Sequence, residues 1–358
     1  MYIGHIQDVG AIALTGVGVC LPIIMIVSAF ACLVGMGGAP RASIYMGKQD
    51  NPTAEKIMGN CFIASIMISL TLTVCLLAFQ TPLLQLFQAS STTIVYAKQY
   101  MGIYALGTIF VQMTLGMNAF ISCQGFSKTS MMTVLIGAIL NIILDPIFIF
   151  GFNMGVKGAA LATIISQAIS AIWVIHFLSG KQTVLKLKKE NFKIVPSLLF
   201  PSLALGIAPF VMQSTESLIS LCFNMQLSKF GGDVAIGSMT ILTSVMQFAM
   251  MPIQGLTQGG QPIISYNFGA KNGQRVKKRL STSNTMLFHI RKYHLDSSGI
   301  IPSSIYFYFH KRFRLDGNGK LGHSYLYGMR IIDGTSDFLP TNLHCVWKRQ
   351  DFSIFSYL

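Results

Sequence analysis

Two acidic side chains stand inside long apolar runs of this chain. One is Asp145, in NIILDPIFIFG (141–151), and the other is Glu216, in PFVMQSTESLISL (209–221). If such runs cross a bilayer, a charged carboxylate at mid-depth costs about 2.5–3.5 kcal/mol on insertion scales. It must therefore be neutral, be paired, or face a polar cavity. Asn141 lies four residues before Asp145 and shares its helix face, and no Lys or Arg lies in the same run to neutralise it. The pair suits a carboxylate that takes up a proton or Na⁺, with the Asn141 amide supplying a neutral oxygen. Pro146 adds to this, because it removes a backbone donor and leaves the carbonyl of Ile142 without its usual partner. A structural alternative stays open: Asp145 stands six residues before Gly151, near enough to a helix end to cap or snorkel. Glu216 has Gln213 and Ser220 at adjacent helical positions. It reads equally as a second coupling or drug site and as an interhelical hydrogen bond.

The runs that hold these groups set the fold class. The chain has 358 residues, of which 52% are hydrophobic and 11% charged, against about a quarter charged in soluble domains. An α-helix needs about 20 mostly apolar residues to cross the hydrocarbon. Stretches 12–35, 58–80, 97–120, 129–151, 158–179, 196–222 and 235–257 meet that need. They are continuous rather than alternating, so they predict helices and not barrel strands. The expectation is an all-α polytopic membrane protein with about seven transmembrane helices. No HExxH, phosphate-binding loop or GxSxG occurs, so no enzymatic motif stands out. No cofactor, nucleic acid or obligate protein partner is expected.

A formal charge of +14 would suit nucleic acid, but its distribution points to the bilayer. Basic residues crowd the segments after the first, third, fifth and seventh spans: Arg41, Lys48 and Lys56; Lys128; Lys181 to Lys193; Lys271 to Arg279. The opposite loops hold few, such as Lys157 and Lys229. Alternation of this kind puts the basic loops in the cytoplasm and the protein in the cell membrane.

An internal repeat organises the spans. GGAPRASIYMG (37–47) recurs as GGQPIISYNFG (259–269), so that Gly37, Gly38, Pro40, Ser43 and Gly47 reappear 222 residues later. Lys56 matches Lys278 at the same offset, and Asp8 recurs as Asp233 at offset 225. Six spans separate the copies, an even number, which implies parallel halves related by an axis along the membrane normal. Other polar residues within the runs, Gln112, Asn118, Asn224, Gln247, Gln254 and Gln258, either line a cavity or make ordinary interhelical hydrogen bonds.

Three segments carry a family resemblance: residues 16–60, NIILDPIFIFGFNMGVKGAALATIISQ (141–167) and MPIQGLTQGGQPIISYNFGAKNGQRVKK (251–278). In this order they resemble the multidrug and toxic compound extrusion family over about residues 1–280. The resemblance implies a twelve-helix, two-lobe secondary transporter that exchanges cationic amphipathic drugs for Na⁺ or H⁺ by alternating access. It adds Thr163 as a further oxygen ligand beside Asp145 and Asn141, and oxygen sets of this kind suit hard cations such as Na⁺. On this reading residues 1–180 are an N-terminal lobe lacking its first helix. Residues 181–194 form a basic interlobe loop and 195–280 begin the C-terminal lobe. Residues 281–358 are an aberrant tail, read as out of frame because a one-nucleotide shift across PTNLHCVWKRQ permits an apolar peptide. The alternatives are an inactive truncated remnant and a lipid-linked oligosaccharide flippase of related fold, for which a more basic cavity would be expected.

Overall fold

The computed structural model describes residues 2–6, 9–87 and 89–298; side chains at 11, 224, 227–249, 284 and 287–298 lie outside that description. Among the described residues every regular element is helical. A short 3₁₀ turn (Tyr2–His5) leads into α1 (Gly10–Gly47), α2 (Asn51–Ala78) and the short α3 (Gln80–Leu86). Next come α4 (Ile94–Leu106), α5 (Thr108–Cys123), α6 (Ser127–Pro146) with a π-turn (Ile147–Gly151), and α7 (Gly155–Ser179). After a 3₁₀ turn (Lys189–Asn191) follow α8 (Pro196–Gly269) and α9 (Gly273–Ser298). The chain divides into Met1–Ile290, which is the unit described below, and Arg291–Leu358.

Among the described residues five helices are long and apolar enough to span, and α4 with α5, bent by 57°, makes a sixth if the pair is one span. The first six expected spans therefore stand, with three differences. α2 begins seven residues before its apolar window, because Asp50 caps it by accepting from the Thr53 amide at 3.1 Å. The expected single span 97–120 breaks at Gly107, where the chain packs so close to Ile164 that no side chain fits. The break frees the carbonyl of Ala105, which accepts from the hydroxyls of Thr73 and Thr108, each at 3.0 Å. Irregular backbone at membrane depth is tolerated only where such partners exist.

The third difference concerns α8, whose backbone is helical from Pro196 to Gly269 and so joins the expected sixth and seventh spans. Gly206 lies against Leu33 and Gly269 against Ile44. On a straight helix residues 206 and 269 would be about 95 Å apart, whereas Leu33 and Ile44 are about 17 Å apart along α1. The chain therefore reverses between them, and α8 forms two arms that begin and end at the same end of the bundle. The first arm runs antiparallel to α1, from Leu198, whose carbonyl accepts from Arg41 at 2.8 Å, to Ser217, whose hydroxyl donates to Pro22 O at 2.8 Å. The side chains of the expected seventh span, 235–257, lie mostly outside the described residues, as do Asp8 and the side chain of Asp233.

The repeat is written in the backbone. Lys48, Gln49 and Asp50 donate to the carbonyls of Ile44, Met46 and Tyr45; Ala270, Lys271 and Asn272 donate to those of Tyr266, Phe268 and Asn267. Every member of the second set lies 222 residues after its counterpart. Gln49 (φ 65°) and Lys271 (φ 55°) both take the left-handed conformation that ends a helix. Asp50 then caps α2, and Asn272 caps α9 by accepting from the Arg275 amide at 3.2 Å.

Two apolar clusters fill the unit. Val17, Ile23, Val27, Met101 and Tyr104 pack at one end, and Val34, Ile57, Met58, Phe120, Val174 and Leu178 at the other. Within the second cluster α1 and α5 meet through glycines, a Cβ on Gly35 falling 2.6 Å from the carbonyl oxygen of Gly116. The four basic segments share one end of the bundle. There Glu55 pairs with Lys188 at 2.7 Å and accepts from the Lys186 amide at 3.0 Å. Gln124 accepts from Thr183, Val184 and Leu185, and Asn60 accepts from the Val195 amide. Phe192 stacks on Phe62, with ring centroids 5.0 Å apart. The segment 181–195 is thus a strap fastened across the ends of α2 and α5.

Candidate cation-binding site

α6 and α7 are drawn together by small residues. Ser170 donates to Thr133 O at 3.2 Å and fills the space beside Gly137, while Gly158 lies against the backbone of Phe148 in the π-turn. This close antiparallel contact brings Asn141 and Asp145 on α6 opposite Thr163 on α7. The Asn141 amide nitrogen approaches Asp145 Oδ1 at 3.4 Å and Thr163 Oγ1 at 3.4 Å, and Thr163 donates to Ala159 O at 2.9 Å. Asp145 is half-buried. The three side chains named from sequence therefore meet in one place.

The amide presents its NH₂ to the carboxylate, the reverse of the ligand orientation expected from sequence. An acceptor-only carboxylate with no cation beside it attracts a donor, and the amide is the donor within reach. Both contacts are at the long end for hydrogen bonds, so turning the amide over costs little and would present an oxygen in place of the donor. One carboxylate among neutral oxygens matches the charge of a single proton or monovalent cation. The π-turn follows directly after Pro146, where a missing N–H already interrupts the helical ladder, and widened turns of this kind recur beside functional groups.

Tyr100 was not anticipated. It is 7% exposed on α4, stacks on Tyr104 and has its hydroxyl in electrostatic contact with Thr163. Its signal in the sequence is slight, since Tyr96, Tyr100 and Tyr104 at helical spacing read as apolar filling with polar tips.

The other named residues do not join this cluster. Glu216 and Gln213 lie on the first arm of α8, with Glu216 exposed, and among the described residues no hydrogen bond joins Glu216 to Gln213 or Ser220. The neighbouring Ser217 makes the contact to α1 instead. Gln112 is fully buried and donates to Val27 O at 2.8 Å, and Asn118 donates to Ser130 O at 3.2 Å. Both make the interhelical bonds that were the alternative reading. Each keeps a buried oxygen without a protein partner. Gln254 and Gln258 are exposed, and the side chains of Asn224 and Gln247 lie outside the described residues.

The MatE family model matches residues 1–147 and 209–291. The chain belongs to this family, the multidrug and toxic compound extrusion family. It is 32% identical over 279 residues to the multidrug export protein MepA of Staphylococcus haemolyticus (strain JCSC1435), covering 77% of this chain and 60% of that protein. It is 30% identical over 280 residues to MepA of Staphylococcus aureus (strain NCTC 8325 / PS 47), with 76% and 60% covered. Among solved structures it resembles the MATE multidrug transporter DinF-BH, at 30% identity and a TM-score of 0.81, over 90% of this chain and 71% of that one. The chain thus spans about 60% of the length of the curated relatives it matches. These matches and the apolar helices make it an all-α, multi-pass membrane protein.

Proposed function

We propose that this chain serves a secondary active multidrug transporter that exports cationic amphipathic compounds in exchange for H⁺ or Na⁺ by alternating access. The observation that supports this most is the meeting of Asp145, Asn141 and Thr163 between two spans. Membership of the family and likeness to two multidrug export proteins support the substrate class. Occupation of Asp145 from outside neutralises it and removes its hold on the Asn141 amide. For Na⁺, the amide turns its oxygen inward, and the Thr163 hydroxyl supplies a further neutral oxygen. For H⁺, the protonated carboxyl becomes a donor to the amide oxygen. Either change alters how α6 meets α7 beside the π-turn, which is where a change in helix packing costs least.

The basic end is read as cytoplasmic and the membrane as the cell membrane, on the gathering of the basic loops there. A membrane-impermeant thiol reagent should label Lys157→Cys in intact cells and Lys48→Cys only after permeabilisation. The reverse pattern would invert the topology. The function itself is tested by drug resistance and ion-driven dye efflux in a drug-sensitive host, for this chain and for Asp145→Asn. Full coupled efflux by Asp145→Asn would remove the assignment of the coupling site. Absence of efflux from a stably inserted unaltered chain would remove the transport reading for the chain by itself.

A further inference from the structure

At the basic end, the two copies of the repeat touch each other. A methyl group built at Gly47 would fall onto the carbonyl oxygen of Tyr266 and lie 2.9 Å from the Ala270 nitrogen. One built at Gly269 would fall onto the carbonyl oxygen of Ile44 and lie 2.8 Å from its carbonyl carbon. Gly269 is the repeat counterpart of Gly47, and Tyr266 that of Ile44. Each glycine therefore meets the residue three before the other glycine, which is the reciprocity of a two-fold contact. Both helices end here in the same left-handed turn, so the two surfaces are alike in backbone as well as in sequence.

We propose that this reciprocal glycine contact is the gate on the basic side: Gly47 and Gly269 seat α1 against the returning arm of α8 when that side is shut, and part when it opens. The proposal rests on the alternating-access reading above and adds the residues that close one side. Three properties suit a gate. Bare backbone has no rotamers to re-sort, so closure is reproducible, and small residues allow the close approach on which helix association in lipid depends. The side-chain hydrogen bonds seen across the contact are long ones, Ser43 Oγ to Pro262 O at 3.1 Å and Gln49 Nε2 to Tyr266 OH at 3.4 Å. The pair also sits at the extreme end of α1, where a small tilt gives the largest opening. The first arm of α8, by contrast, follows α1 from Arg41 to Pro22 and acts as the surface about which the tilt occurs.

Spin labels on Lys48→Cys and Lys271→Cys flank the contact at exposed positions. The test uses the full chain in liposomes, with the native cysteines replaced by Ser, and measures the distance distribution between the labels. The unaltered gate should show a short-distance population. Gly47→Ala and Gly269→Ala should each raise the ratio of parted to joined molecules by about tenfold or more, and by similar amounts because the contact is reciprocal. Gly18→Ala, on the open face of the same helix, should leave the distribution unchanged. If either alanine protein fails to purify as a single species, Ser43→Ala decides, with a smaller shift in the same direction expected. The proposal is overturned if the short distance is never populated, if neither alanine shifts it, if only one does, or if Ser43→Ala has no effect where it must decide. The readout needs neither drug nor ion, so failed efflux with an intact gate counts against the function alone.

Discussion

On the proposed function, the decisive quantity at Asp145 is how its neighbours satisfy it with and without a cation. Tyr100→Phe removes the hydroxyl that interacts with Thr163, a net change of about 0.5–1.5 kcal/mol if that contact is worth one hydrogen bond. Half-maximal ion concentration for efflux should rise roughly two- to tenfold, with maximal rate little changed; an unchanged ion dependence would place Tyr100 outside the site. A second prediction concerns Gln49 and Lys271, which hold the left-handed conformation with side chains other than glycine. Strain of about 1 kcal/mol per residue is expected there, so Gln49→Gly and Lys271→Gly should each raise the melting temperature, and a fall in both would refute the strain argument. Asp145 and Asn141 were legible in the sequence because a carboxylate is rare in an apolar run, and four-residue spacing fixes their common face. Tyr100 was not, because nothing in a single sequence says which of three tyrosines at helical spacing turns toward a threonine on another helix.

Individual elements differ in what they disclosed. The repeat motifs and the apolar windows placed six spans, but the break at Gly107 was invisible, since its support comes from Thr73 on another helix and the apolar run does not pause. Replacing Thr73 and Thr108 together by Val would leave the Ala105 carbonyl buried without a partner, at a cost of about 1–3 kcal/mol. That should appear as a lower melting temperature for the double variant and a smaller loss for each single one. The caps differ in their response to acid. Hydrogen bonds from Thr53 hold the Asp50 carboxyl below its usual range, so its contribution is complete above the unfolded value of about 3.9 and fades as pH falls through the folded one. Asn272 does not titrate. Acidification should therefore speed amide exchange at Thr53 and leave Arg275 unaffected, and parallel changes at both would contradict the capping account.

For the whole molecule, the strap matters as much as the spans. Its sequence showed only a basic loop between lobes, whereas the structure fastens it through Glu55, Gln124 and Asn60. Glu55 and Gln124 lie outside the apolar windows and Asn60 stands at the very start of one, which is why composition alone could not find them. Glu55 raises the ammonium pKa of Lys188, so the pairing persists below the unfolded value and is lost as pH rises through the folded one. Near neutrality the strap should stay closed, and Glu55→Gln should expose Lys186 and Lys189 to trypsin severalfold faster, with unchanged cleavage counting against a fastened strap. Among the described residues, the basic charge that first suggested nucleic acid gathers mostly in this strap and its neighbouring loops, at one end of the bundle.

The paired left-handed turns bear on descent. Gln49 and Lys271, Asp50 and Asn272, and Thr53 and Arg275 no longer match as residues, yet each pair occupies the same seat in the same hydrogen-bonded turn. A duplicated ancestor accounts for this: substitution has erased half of the shared lettering while the main-chain path was kept. In such a chain one half serves as the homologue of the other. A position whose counterpart tolerates a different side chain in the same conformation is a natural place to begin exchange of residues between halves.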